Sequence, residues 1–194
     1  MKLLISNLNI SYQEHTVIKD FNETINPGEK IALTGTSGIG KTSIINAIMG
    51  LIPYEGNINF GKVPQFSTIF QEDRLLPDHS VFGNIKITSP KLSNSVINEY
   101  IEYFKLNPKD YVNTLSGGMQ RRVAILRALL APSNIIIMDE PFKGLDDETK
   151  ELVMSFTKKK ASDKTMILIT HDLSEAKFFD CRIINVDAFS VQQL

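Results

Sequence analysis

The stretch "KIALTGTSGIGKTSIINAIMGL", Lys30 to Leu51, changes character twice. It opens on KIALT, a short apolar run of the kind that makes a buried strand. It closes on apolar residues at Ile44, Ile45, Ile48, Met49 and Leu51, a helical spacing, with Gly50 near where that helix should end. Between them "GTSGIGKT", Gly35 to Thr42, satisfies G-x-x-x-x-G-K-[ST]. Glycines let successive backbone N–H groups curl around phosphate oxygens, and the helix start adds partial positive charge. Lys41 then reaches the β- and γ-phosphates, and the Thr42 hydroxyl faces Mg²⁺. The candidate phosphate contacts are Gly35, Thr36, Ser37, Gly38, Ile39, Gly40, Lys41, Thr42 and Ser43. A glycine-rich turn with a chance lysine is the rival reading, and the flanking strand and helix weigh against it. The loop indicates a nucleoside triphosphate without saying what its energy drives.

Upstream, Leu3 to Tyr12 and Thr16 to Ile25 read as strands joined by the polar turn "QEH". "NPGE", Asn26 to Glu29, marks the turn into KIALT. Downstream, Gly56 to Gln71 suggests two more strands ending in "STIFQ". From Glu72 onward Pro77, Pro90 and Pro108 punctuate a region with one clear helical stripe, Val96, Ile97, Tyr100, Ile101 and Phe104. Next come a helix from about Gly118, the strand in "NIIIMDE", the amphipathic "DETKELVMSFTKKKA", the strand in "TMILITHD" and a short helix in "LSEAKFFD". "RIINVDAFSVQQL" suits a closing hairpin. Strands alternating with helices in the second half imply an α/β sheet.

Two carboxylates end the apolar run "IIIMDE". At the end of a buried strand Asp139 is placed to hold Mg²⁺ and Glu140 to polarise an attacking water. A solvated acidic turn fits the same letters, and only the company of the glycine loop favours chemistry. Gln71 and His171 each stand just beyond a short apolar strand, where side chains from several strands can converge on one ligand. A second glycine pair, in "LSGGMQRRVAILRALL" from Leu115, leads into another helix. Ser116 there is a helix N-cap by spacing alone. Yet a hydroxyl and two glycine N–H groups at a helix start also suit a phosphate.

Taken together these motifs resemble the ATP-binding-cassette ATPase family over nearly the whole chain. "GTSGIGKT" is similar to its phosphate loop, "LSGGMQRR" to its signature and "IIIMDE" to its acidic strand. Gln71 in "IFQEDRLLP" matches the glutamine loop, "GLD" (Gly144 to Asp146) the aspartate loop, and His171 in "THD" the switch histidine. Tyr12 takes the place of the aromatic residue that stacks on adenine. The resemblance implies a P-loop fold, α/β in class. An antiparallel β subdomain, a mostly parallel core sheet and a small helical subdomain at about 72–115 would form one domain over 1–194. It implies ATP and Mg²⁺, with Glu140, His171, Gln71 and Lys41 catalytic and Thr42, Gln71 and Asp139 at the metal. It implies a head-to-tail dimer with a second such subunit, in which Ser116, Gly117 and Gly118 grip the partner's γ-phosphate. Work would pass to integral membrane permease subunits, with a substrate-binding protein as a further partner. Leu75, Leu76, Val81 and Phe82 are contacts for the permease or else the subdomain's own core.

"FQEDRLLPDHSVFGNI" is closest in character to importer cassettes of the nitrate, sulfonate and taurine type. "KGLD" departs from the more usual serine-alanine before Leu-Asp, which puts Lys143 in an unusual place. The expected location is cytoplasmic, peripheral on the inner face of the cell membrane. The alternative is a cassette acting on nucleic acid or ribosomes. Long coiled-coil or zinc inserts of the repair members are missing, and the one cysteine, Cys181, cannot build a Cys-rich zinc site.

Bulk properties agree. A formal net charge of −1 disfavours a broadly basic nucleic-acid surface, so no nucleic-acid partner is expected. The one dense basic run, Lys158 to Lys160, reads as a solvated helix end. No stretch approaches the roughly 18 apolar residues of a membrane-spanning helix, and "MKLLISNLNISY" lacks the apolar core of a signal peptide.

Overall fold

The computed structural model describes residues 2–13 and 15–191. Strands β1 (Leu3–Tyr12) and β2 (His15–Ile25) pair antiparallel, and β4 (Glu55–Phe60) adds antiparallel on the other side of β1. His15 belongs to β2 rather than to the expected turn, and Glu14 of that turn lies outside the described residues. A second sheet is parallel, in the order β5-β6-β7-β3-β8, from β3 (Lys30–Thr34), β5 (Phe66–Ile69), β6 (Ile135–Asp139), β7 (Thr165–Ile169) and β8 (Arg182–Asn185).

The continuous apolar runs of β6 and β7 have a direct cause, because both faces of this sheet are covered. Ile135, Ile137, Ile167 and Ile169 face a core shared with the antiparallel sheet and with Ile44, Ile45 and Ile48 of helix α1 (Lys41–Ile48). The alternate residues Ile136, Met138, Met166 and Leu168 face a second core. That core is filled by α2 (Val81–Lys86), α3 (Asn94–Tyr103), α4 (Gly117–Leu130) and α5 (Asp147–Lys160). A short α6 (Leu173–Phe178) precedes β8.

Helix α1 ends at Ile48, and Gly50 follows at φ 70°, so Leu51 lies beyond the helix and is 58% exposed instead of continuing its apolar face. Helix α2 was not visible as a stripe because it is barely a turn and a half. Its start is fixed by Ser80, whose hydroxyl accepts from Gly83 N–H. Fully buried Asn84 holds the preceding loop, accepting from Leu76 N–H and donating to the carbonyls of Leu76, His79 and Ser80. Val81 is part of the core, with Leu75 and Phe82 packed on its edge, so Val81 is unavailable as a surface contact.

The expected C-terminal hairpin is wrong. β8 runs parallel to β3, and Val186–Phe189 forms a 3₁₀ turn whose start is capped by Asn185. Ile183 and Ile184 pair with Ala32 and Leu33 at the edge of the parallel sheet, with Ile184 buried and Ile183 exposed, and not in a local two-stranded ribbon. Gln192 to Leu194 lie outside the described residues. Lys158 at the end of α5 pairs with Asp180 at 2.8 Å, and Lys160 lies over the Tyr100 ring, in keeping with a helix end at the surface.

Candidate active site

Parallel register brings the motifs to one edge. Leu33 of β3, Ile169 of β7 and Asp139 of β6 are partners in a single row, and Ile69 of β5 pairs with Met138. The chain leaves each strand on that side, so the glycine loop, Thr170-His171, Glu140 and Phe70-Gln71 follow from four adjacent strands. They enclose a cleft of about 330 Å³ lined by Lys41, Thr42, Gln71, Asp139, Glu140 and His171, with Ser37, Gly38, Gly40 and Ser43 of the loop.

Lys41 is only 6% exposed, and its ammonium donates at 2.8 Å to the carbonyls of both Gly35 and Thr36. Burial lowers its pKa, while the carboxylates of Glu140, Asp187 and Asp139 oppose that change. Gly40, at φ 107°, is required twice over. A Cβ there would be strained, and it would stand 2.8 Å from Val17 Cγ1 and Ile18 Cδ1. Thr42 Oγ1 donates to Asp139 Oδ2 at 2.9 Å. Burial raises the Asp139 pKa, and the Thr42 hydroxyl, Arg121 and Lys41 pull it back.

Glu140 stands one residue past β6 at φ 49°, a conformation that costs a non-glycine residue about 1 kcal/mol or more. Its N–H is fixed to Ile169 O at 2.9 Å, and its Oε1 lies 3.1 Å from Nε2 of half-exposed His171. A strained, cross-strand-anchored acid touching a histidine is suited to orienting a water.

Ile39 packs on the core beneath the loop. Tyr12 is 46% exposed, and its hydroxyl is 3.1 Å from Ser43 Oγ, which places the ring beside the start of α1. Ser116, Gly117 and Gly118 do not line the cleft. Ser116 caps α4 by accepting from Met119 N–H at 3.4 Å; Ser116 and Gly117 are exposed, and Gly118 is half-buried. The second glycine pair is therefore separate, within one chain, from the first.

Two residues of this region escaped the sequence reading. Arg121 of α4 is 6% exposed. Its Nε donates to Pro141 O at 2.8 Å, Nη1 to Phe70 O at 2.7 Å and Asp73 Oδ1 at 2.8 Å, and Nη2 to Asp139 O at 3.0 Å and Glu140 O at 2.7 Å. One guanidinium thus holds the segments carrying Gln71 and Glu140 together. The available signal was its place one helical turn before Ile125 on the buried stripe. Asp187 is the other. Its Oδ1 accepts from Thr36 N–H at 3.0 Å, and a Cβ on Gly35 would come within 3.1 Å of that oxygen. The hairpin expectation hid it.

Arg121→Met is expected to lower stability by about 3–5 kcal/mol, because it strands Asp73 and several carbonyls without donors. Urea unfolding with an unchanged slope and a shifted midpoint would register it. A midpoint equal to wild type would show the network to be dispensable.

Comparison with known proteins identifies the family. The family model described as ABC transporter matches residues 18–143. The aliphatic sulfonates import ATP-binding protein SsuB of Bacillus subtilis is 36% identical, over 86% of this chain and 71% of its own. The taurine import ATP-binding protein TauB of Escherichia coli O157:H7 is 33% identical, over 94% and 78%. Among solved structures, a dimeric ATP-binding cassette in a post-hydrolysis state, bound to ADP and phosphate, superposes with a TM-score of 0.83 at 28% identity, covering 95% of this chain and 94% of that one. The chain belongs to the ABC transporter family, as its ATP-binding and ATP-hydrolysing cassette.

Proposed function

We propose that this cassette binds ATP across the edge of the parallel sheet and hydrolyses it with Glu140 as the water-orienting base. The observation that carries the reading is the pairing of Thr42 with Asp139 and of Glu140 with His171 in the cleft that holds Lys41. Lys41 would steady the β- and γ-phosphates, with the loop from Gly35 to Ser43 supplying N–H groups and Tyr12 an aromatic face for the base. His171 would carry charge that develops on the transferred phosphoryl group.

The residues fit Mg²⁺. Thr42 Oγ1 and Asp139 Oδ2 are hard oxygen donors 2.9 Å apart, and Gln71 lines the same cleft. That is the pattern of an ion held by one carboxylate and the substrate's phosphates. Bound there, Mg²⁺ would neutralise charge on the phosphate oxygens.

Exposed Ser116 and Gly117, with Gly118 beside them, would meet the γ-phosphate of a second copy of the chain, so ATP closes a homodimer. We read residues 1–194 as one cassette with a helical subdomain at about 72–115. It would sit on the cytoplasmic face of the membrane against permease subunits and serve, with a substrate-binding protein, an importer of small sulfonates. No helix among the described residues is long and apolar enough to cross a membrane.

Tagged Glu140→Gln protein should copurify from detergent-solubilised native membranes with a multi-span protein in stoichiometric yield, identified by mass spectrometry. Ribosomal or DNA-bound chains in place of a membrane protein would overturn the transporter assignment.

A further inference from the structure

His171 is flanked by Asp172, bound directly to the Lys150 ammonium, and by Thr170, linked to it through Glu175. Lys150, on the first turns of α5, lies 2.6 Å from Glu175 Oε1 and 2.8 Å from Asp172 Oδ2. Glu175 Oε2 accepts from the Thr170 hydroxyl at 2.6 Å, and Thr170 Oγ1 in turn accepts from Asp172 N–H at 3.0 Å. The Glu175 side chain is 7% exposed and that of Lys150 is 25% exposed, so this is no loose surface pair. The same five residues, Lys150, Thr170, His171, Asp172 and Glu175, line a second cavity of about 470 Å³ adjoining the cleft, together with Lys143, Gly144 and Leu145.

We propose that Lys150 is a positioning residue for His171, locking the loop Thr170–Asp172 to the helix that begins at the Gly144–Asp146 segment. The ring at position 171 has no bond of its own in this lock; it is held by its two neighbours. Displacing either neighbour alters the 3.1 Å approach of Nε2 to Glu140. Because α5 is capped by Asp146, whose carboxylate accepts from Thr149 N–H at 3.0 Å, a shift of the 144–146 segment carries Lys150 with it. Burial alone would lower the Lys150 pKa, but its hydrogen bonds to Asp172 and Glu175 leave it raised, and the Lys150 bond holds the Asp172 carboxyl down at about 2. Lys150 and Asp172 are thus both charged at neutral pH.

The inference rests on the catalytic reading of His171 and is tested with it, in the full-length chain. Steady-state ATP hydrolysis is compared for Lys150→Met, Lys150→Arg and Glu175→Gln, in the wild-type and His171→Ala backgrounds. Lys150→Met should lower kcat roughly 10-fold to 100-fold with little change in KM, the scale expected for misplacing a group near the chemistry. Lys150→Arg should restore most of it, and Glu175→Gln, which keeps side-chain volume and an acceptor for Thr170, should follow Lys150→Met if that variant folds poorly. In the His171→Ala background neither change should lower kcat further. An equal fold-loss in that background, or wild-type kcat for Lys150→Met, would overturn the positioning role while leaving His171 in place. Wild-type kcat for His171→Ala alone would instead remove the catalytic reading, and this inference with it.

Discussion

Lys41→Ala is expected to cut ATP turnover by about 10²–10³-fold or more, the usual cost of deleting one preorganised charge donor at a phosphoryl centre. Two losses add. The Lys41 ammonium lines a cleft bordered by Asp139 and Glu140 and shared with Lys143, so its removal weights the lining toward the two carboxylates that would face an incoming triphosphate. It also ties the loop to itself through the carbonyls of Gly35 and Thr36, and an alanine cannot hold that curl. Nucleotide affinity, read by titration with a fluorescent ATP analogue, should fall together with turnover. Turnover equal to wild type would remove the phosphate-loop assignment outright.

Glu140→Gln should separate binding from chemistry. The change keeps volume and keeps a side chain able to meet His171, while abolishing the basic oxygen, so hydrolysis should fall by about 10²–10⁴-fold with ATP affinity retained. With turnover stopped, the two-copy complex should persist and run as a dimer on gel filtration in ATP and Mg²⁺. A monomer at saturating ATP with hydrolysis lost would count against the shared site alone. Unimpaired hydrolysis would remove Glu140 from the mechanism. Because the residue sits at φ 49°, Glu140→Ala is the poorer probe: it combines loss of the acid with altered strain.

The strands and the glycine loop were legible because their signals are local. KIALT, "IIIM" and "MILI" are apolar on both faces because the finished sheet is covered on both, and a run of that kind needs no knowledge of its neighbours. Gln71, Glu140 and His171 could be nominated for the same reason, each following such a run. Their meeting depends on the strand order β5-β6-β7-β3, which comes from tertiary pairing and leaves no mark in spacing. Arg121 was illegible for a different cause: charged residues on helices are usually solvated, and burying one requires acceptors from distant segments. Residues 70, 73, 139, 140 and 141 supply them. Val186–Phe189 misled because β8 is short and its partner, β3, lies far upstream.

The guanidinium of Arg121 has a mechanical consequence. Its grips join the segment that follows β5 to the end of β6 and the residues just past it. A displacement of α4 should therefore reach the backbone of Phe70 and of Glu140 together. Helix α4, which opens at exposed Ser116 and Gly117, and the backbone of Glu140 thus share one fastening.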